Sequence, residues 1–373
     1  MYRAAGVITF LAATVAGCGD SRRVHHPLPE AIAELEREAT TVILPDTVPP
    51  PTMNAEKAAR WIAMRRAILA ARPGATIGTL DRDGPELLGS ILRVKLAHDG
   101  EILILDSMNG RVVAFGSDGT TKTWFGRLGD GPMELRTARD LERYGDSLFV
   151  AQSGLLKIYG RTHRGYEWRG EMPLPVEINS ICVLASGIFG ITLGAPATAV
   201  RRLSVFGEND LAFGRGYTHG WEFAQRRLST GLGTCVGTPA RIIHGFEELP
   251  ALRAYSPSGV IQWSATFKDY WQGYWIETPG RASLQSPMPP HEILMGLDVI
   301  GRGFVVATYL RVDQRGEFMT RAYLLDAETG EGGLVEETTR PDRQIMAAGR
   351  HQYVTYIRGL YPRFRIWHMD ELR

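Results

Sequence analysis

The stretch SILRVKLAHDGEILILDSMNGRVVAFGSDGTTKTWFG, residues 90–126, constrains the fold more than any other part of the chain. Four short runs, Ile91–Leu96, Glu101–Asp106, Arg111–Phe115 and Thr121–Phe125, are separated by His98-Asp99-Gly100, Ser107-Met108-Asn109-Gly110 and Ser117-Asp118-Gly119. Asp-Gly and Asn-Gly supply the positive φ that tight hairpins need. The stretch therefore predicts four antiparallel strands in one sheet.

The unit recurs. Its first turn falls at Gly100, Gly145, Gly187, near Pro239, at Gly303 and near Gly349. Its third strand ends on an aromatic followed by a turn glycine at Phe115/Gly119, Tyr159/Gly165 and Tyr255/Gly259, with a fainter copy at Leu325/Gly330. Four-stranded units repeating every roughly 40–65 residues describe a propeller. The expected fold is all-β, a six-bladed β-propeller of four-stranded antiparallel blades. The last unit offers only Gln344–Ala348, Gln352–Ile357 and Phe364–His368. Ala75–Leu80, from the start of the domain, is expected to supply its fourth strand, leaving no open sheet edge.

The loop FGRLGDGPMEL, residues 125–135, carries glycines and carboxylates that would suit a phosphate or metal loop. It also recurs, as IGTLDRDGPEL at 77–87 and FGRGYTHGWEF at 213–223. Repetition points to a crossover from the outer strand of one blade to the inner strand of the next. In that role Gly129 and Gly131 permit the path, Pro132 fixes φ, and Glu134 accepts backbone or arginine hydrogen bonds.

The string DGEILILDSMNGRVVAFGSDG, followed by this loop, resembles bacterial six-bladed propeller lipoproteins related to NHL-repeat proteins. Asp99, Gly100, Asp106, Asn109, Arg111, Phe115 and Gly119 match their blade pattern, while Met133 and Leu135 depart from it. The resemblance is strong over 75–160 and faint over 180–340. It implies a fold and an exported address.

The N-terminus agrees with that address. Arg3 and the apolar AAGVITFLAATVAG read as a signal peptide, its apolar run of about 14 residues being short of the ~20 a membrane span needs. Val15-Ala16-Gly17-Cys18 looks like a lipobox, making Cys18 the expected lipidation site and the membrane the expected partner. Gly19 follows, not the Asp associated by resemblance with inner-membrane retention, so the outer membrane is the expected location. The expected organisation is a signal peptide over 1–17, a tether over 18–74 and a propeller over 75–373. Within the tether, 29–40 has helical composition, the Pro-rich LPDTVPPPTM at 44–53 reads as a spacer, and Asn54 caps a helix over 54–71. Its Trp61, Met64 and Ile68 stripe either docks a partner or, the favoured reading, packs on the body. In an oxidising compartment Cys182 and Cys235 could bond or remain separate small hydrophobes.

Composition narrows the function. The 373 residues are 44% hydrophobic and 22% charged, with Lys+Arg 42 against Asp+Glu 41. No basic footprint for nucleic acid exists. His291-Glu292 opens a zinc-protease pattern that Met295 breaks, and no P-loop, CxxC or Gly-x-Ser-x-Gly is present. No catalytic residue, metal ligand or cofactor is assigned. Binding candidates are Arg127, Asp130 and Glu134 in the crossover loop; His219, Trp221, Glu222 and Arg227 in a blade-3 insertion; and Trp271 and Trp275 in YWQGYW of blade 4. Aromatics beside arginine suit recognition of a protein, peptide or glycan, although such rings also fill gaps between blades. The expected function is a lipid-anchored periplasmic or surface binding or scaffold module using its crossover face. The alternative is a channel-metal hydrolase or lactonase, which would need carboxylates such as Glu86, Asp130, Glu134 and Glu222 to converge.

Overall fold

Hairpin chemistry builds the molecule blade by blade. The structure, a computed structural model, describes residues 23–25, 29–45, 50, 52–80, 84–195, 197–203, 211–218, 220–277 and 290–370. Cys18 and the signal segment lie outside them. Blade 1 comprises Ile91–Leu96, Ile102–Asp106, Arg111–Phe115 and Thr121–Phe125, hydrogen-bonded in that order from the inside outward. Its turn glycines Gly100, Gly110 and Gly119 have φ of 85°, 60° and 81°, the left-handed values a side chain would resist. Its second strand is buried throughout, and its outermost alternates toward solvent.

Five further sheets repeat the plan. Blade 2 begins at Asp140–Tyr144, blade 3 at Ile178–Leu184, blade 4 at Gly231–Gly237, blade 5 at His291–Ile300 and blade 6 at Gln344–Ala348. The fold expectation holds: an all-β six-bladed propeller. Each pair of neighbouring blades encloses its own apolar cluster, from Leu103, Leu141 and Tyr159 between blades 1 and 2 to Ile104, Val354 and Phe364 between blades 6 and 1. Burying each such side chain is worth about 1.5–3 kcal/mol.

Closure uses the start of the chain, in a different register from the one expected. Arg72–Ile77, not Ala75–Leu80, pairs with Arg363–His368, setting Ile77 opposite Phe364 and Arg72 opposite His368. Pro73 is tolerated in this strand because the strand is outermost, with a partner on one side only. A Cβ on Gly74 beside it would lie 2.6 Å from His368 Nε2, so a side chain there would displace that imidazole.

The segment expected to be a tether is partly built into the body. Helix α1, Pro29–Glu38, and strand Thr41–Ile43 dock on blade 4, the strand pairing in parallel with Ala265–Phe267 as a fifth strand. Arg253 Nη2 donates to Glu38 Oε2 at 2.9 Å, and Ser264 Oγ to the Glu38 carbonyl at 2.7 Å. Helix α2, Ala55–Leu69, is capped by Asn54, whose Oδ1 accepts from Lys57 N. Its buried Trp61, Met64 and Ile68 close the seam between blades 5 and 6. The stripe thus packs on the body.

Candidate functional site

The crossover loop at 125–135 folds around its own carboxylate. Glu134 Oε2 accepts from the Gly131 N–H at 2.7 Å, and Oε1 from Arg127 Nε at 2.8 Å. These two donors, the backbone one first, hold the Glu134 carboxyl below its usual range. A Cβ on Gly129 would sit 2.1 Å from Glu134 Oε2, so glycine there makes room for the carboxylate. Lys157 Nζ donates to the Gly131 and Glu134 carbonyls, fastening the loop to blade 2. Asp130 forms an exposed pair with Arg136 at 3.5 Å. Arg127 remains largely exposed.

The described ones among the other expected residues lie on the same end of the propeller, in the crossovers on either side of blade 4, where Arg227 and Gln272, the neighbour of Trp271, both bond Glu248. Trp221 and Glu222 open α3, Glu222–Leu228, within the crossover from blade 3 to blade 4. The Trp221 ring packs beside Phe223 and against the cluster of Tyr217, Leu228 and Phe246, which Ile32 and Leu35 of α1 also join. Arg227 Nε donates to Glu248 Oε1 at 2.6 Å. Glu86 accepts from Thr121 Oγ1 at 2.8 Å. Trp271 lies in the crossover from blade 4 to blade 5, where Arg311 stacks on its ring at 4.2 Å and Glu292 Oε2 accepts from its backbone N–H. That contact joins a network in which buried Glu292, Arg311 and Arg321 meet the more exposed carboxylates of Asp269 and Glu337. His219 and the Trp275 side chain lie outside the described residues. The Trp275 backbone begins a strand, Trp275–Glu277, paired with Arg23–His25.

A broad concave feature lies at the other end. A funnel of about 810 Å³ opens where the six inner strands turn back, and every blade contributes to it. Its wall takes in Leu96–Gly100, Glu142 and Arg143, Cys182 and Val183, Thr234–Thr238, Asp298–Gly303 and Ala348–Gln352. The structure bonds Cys182 to Cys235 in this wall, joining the inner strands of blades 3 and 4. At the rim, Arg143 is held by Asp99 at 2.8 and 3.0 Å and by Glu101 at 2.8 Å. Arg302 and Arg350 are exposed and, among the described residues, form no ion pair.

The floor of the funnel is charged. Lys95 Nζ lies 3.2 Å from Glu142 Oε2. Burial pushes the Glu142 carboxyl up to about 7, against the pull of Lys95 and with the help of Asp298 and Asp140. Burial alone would lower Lys95, but Glu142, Asp140 and Asp298 outweigh it and raise the ammonium. Asp140 is fully buried: Oδ2 accepts from Ser180 Oγ and Ile181 N at 2.7 and 2.8 Å, tying blade 2 to blade 3. Asp298 is raised by burial and accepts from Val299 N and Ala348 N, tying blade 5 to blade 6.

A channel metal does not fit this set. The oxygens of Asp140 and Asp298 are taken by N–H and O–H donors, and Glu142 faces an ammonium. Among the described residues no three His, Cys, Asp or Glu side chains are grouped to hold an ion. Sequence reading passed over Arg93, Lys95, Asp140, Glu142 and Asp298. Their signal was present: charges inside first strands, two in ILRVKL, three in DLERY and one in the otherwise apolar LMGLDVI.

No protein-family model matches the chain, and no curated protein matches it in sequence. Solved structures do match in shape. A candidate exported protein of Bacteroides fragilis superposes with a TM-score of 0.52 at 9% identity, over 88% of this chain and 99% of that one. A member of the DUF4221 family from Bacteroides vulgatus gives 0.51 at 10% identity, over 80% and 97%. A streptogramin B lyase reaches only 0.43 at 10% identity, over 80% and 98%, too distant to bear on chemistry. Identities this low speak for architecture alone, and on that ground the chain is a six-bladed β-propeller.

Proposed function

We propose that the chain is an exported, lipid-anchored binding module whose ligand enters the funnel. The observation that carries this reading is the funnel itself: about 810 Å³, within the range of ligand sites, and lined from all six blades. The sequence candidates on the crossover face contact their own surroundings, as the Arg127–Glu134, Arg227–Glu248 and Trp271–Arg311 contacts illustrate. The two rim arginines without ion pairs favour an anionic or polyhydroxylated ligand, since guanidinium offers forked donors to such groups. Attachment rests on Cys18, in its lipobox after a signal-like segment, with the outer membrane as the proposed address. Among the described residues no helix is long and apolar enough to cross a membrane.

The test is a thermal-shift screen of acidic glycans, peptides and small carboxylates. A ligand at a hundred times its dissociation constant adds about 2.7 kcal/mol to stability. We expect its effect to disappear in an Arg302→Glu/Arg350→Glu variant and to persist in Arg127→Glu. The opposite pattern would move the site to the crossover face and overturn the reading.

A further inference from the structure

Antiparallel blades place the start of every inner strand, and the turn between second and third strands, at one end of the propeller. At that end Leu80, Leu87, Met108, Leu128, Phe318 and Leu360 are exposed, Met108 by 63%, Leu128 by 55% and Leu360 fully. They follow one another around the face. Arg358 stacks on the Phe318 ring at 5.3 Å, and the backbone at Pro362 abuts Gly78. Met108 abuts Gly89, and the Leu128 backbone abuts Gly110. Blades 5, 6 and 1 therefore all present exposed apolar tips on this one face. At the funnel end, exposed large apolar side chains are separated: Tyr144 on blade 2, Leu69 at the end of α2 and Val260 with Ile261 on blade 4. Exposed apolar side chains gathered on one face mark a place where something else binds.

The chain enters at the same end. Arg23–His25 pair with Trp275–Glu277 in the crossover from blade 4 to blade 5. Cys18 precedes Arg23 by five residues, at most about 17 Å of chain. A lipid on Cys18 therefore brings this end, and not the funnel end, to the bilayer. We propose that the crossover face of blades 5, 6 and 1 lies on the lipid surface, its leucine and methionine tips seated among the headgroups, with the funnel opening away from the membrane. The proposal rests on the lipid anchor at Cys18.

The experiment uses the full lipoprotein reconstituted in phosphatidylethanolamine–phosphatidylglycerol vesicles. Cys182 and Cys235 are bonded to each other and Cys18 carries the lipid, so one introduced cysteine accepts an environment-sensitive fluorophore. Labels at Leu128→Cys and Leu360→Cys should shift to the blue, and brominated acyl chains should quench them several-fold more than a label at Val260→Cys. Equal quenching at the two ends, or stronger quenching at Val260, overturns the orientation. Unquenched Leu128 and Leu360 would reserve the face for a protein partner and overturn it equally. Mass analysis of the same sample separates the two layers of the argument. If Cys18 bears no lipid, the anchor fails. The unlipidated labelled chain, added to the same vesicles, then decides the face, and absence of quenching at Leu128 and Leu360 rejects it.

Discussion

Trp61→Ala is the perturbation that most directly asks whether α2 belongs to the propeller. The indole is fully buried against Ile300, Phe304, Leu324 and Tyr353, and its Nε1–H donates to the Leu324 carbonyl at 2.8 Å. Truncating a buried tryptophan to alanine costs roughly 3–5 kcal/mol, the range spanning how far the cavity collapses. Collapse is limited here because the surrounding side chains belong to strands held in two different sheets. Unfolding entropy of about 2.1 cal/mol/K per residue gives roughly 0.6 kcal/mol/K for a body of about 300 residues, so a loss of about 4 kcal/mol lowers Tm by about 6 °C. Trp61→Phe retains most of the apolar area and loses the donated hydrogen bond, about 1–2 kcal/mol and hence roughly 2–3 °C. Arg66→Ala, on the exposed side of the same helix, should stay within about 0.5 kcal/mol. Differential scanning calorimetry at neutral pH reads all three. A Trp61→Ala melt within about 1 °C of the parent would make α2 an appendage and refute the reasoning.

Three further outcomes are expected. Limited proteolysis should leave a resistant body beginning near residue 29, because α1 and Thr41–Ile43 are fastened to blade 4; N-terminal sequencing that instead finds a cut near residue 72 would show those contacts to be weak. The Cys182–Cys235 bond closes a sequence separation of 53 residues, worth about 4 kcal/mol by loop entropy, so a Cys182→Ser/Cys235→Ser variant should lose up to that amount in urea unfolding, while free thiols in natively exported protein would remove the premise. Glu142 has its folded pKa raised from 4.5 to about 7, so the folded state binds the extra proton and the stability this confers is present below pH 4.5 and lost as pH rises through 7. Denaturant unfolding of Glu142→Gln should therefore lack a downward component between those pH values that the parent shows, and identical slopes would contradict the placement of Glu142 beside Lys95 on the funnel floor.

The sequence by itself determined what turn chemistry and short-range pattern can determine. Asp99-Gly100, Asn109-Gly110 and Asp118-Gly119 fix three hairpins within blade 1, because positive φ is a property of the residue at the turn and needs no distant partner. Repetition of that unit then yields the blade count, and a last unit one strand short implies that the chain's beginning closes the ring. Tertiary structure alone decided the register of that closure. An outermost strand tolerates Pro73, so the pattern could not distinguish Arg72–Ile77 from a strand three residues later. It also decided that the supposed tether docks, since the parallel pairing of Thr41–Ile43 with Ala265–Phe267 spans more than two hundred residues and carries no local mark. The site divides in the same way. Charges within first strands were visible one blade at a time. That Lys95, Glu142, Asp140 and Asp298 meet around one axis, at the end opposite the glycine-rich crossovers, follows only from closing six blades into a ring.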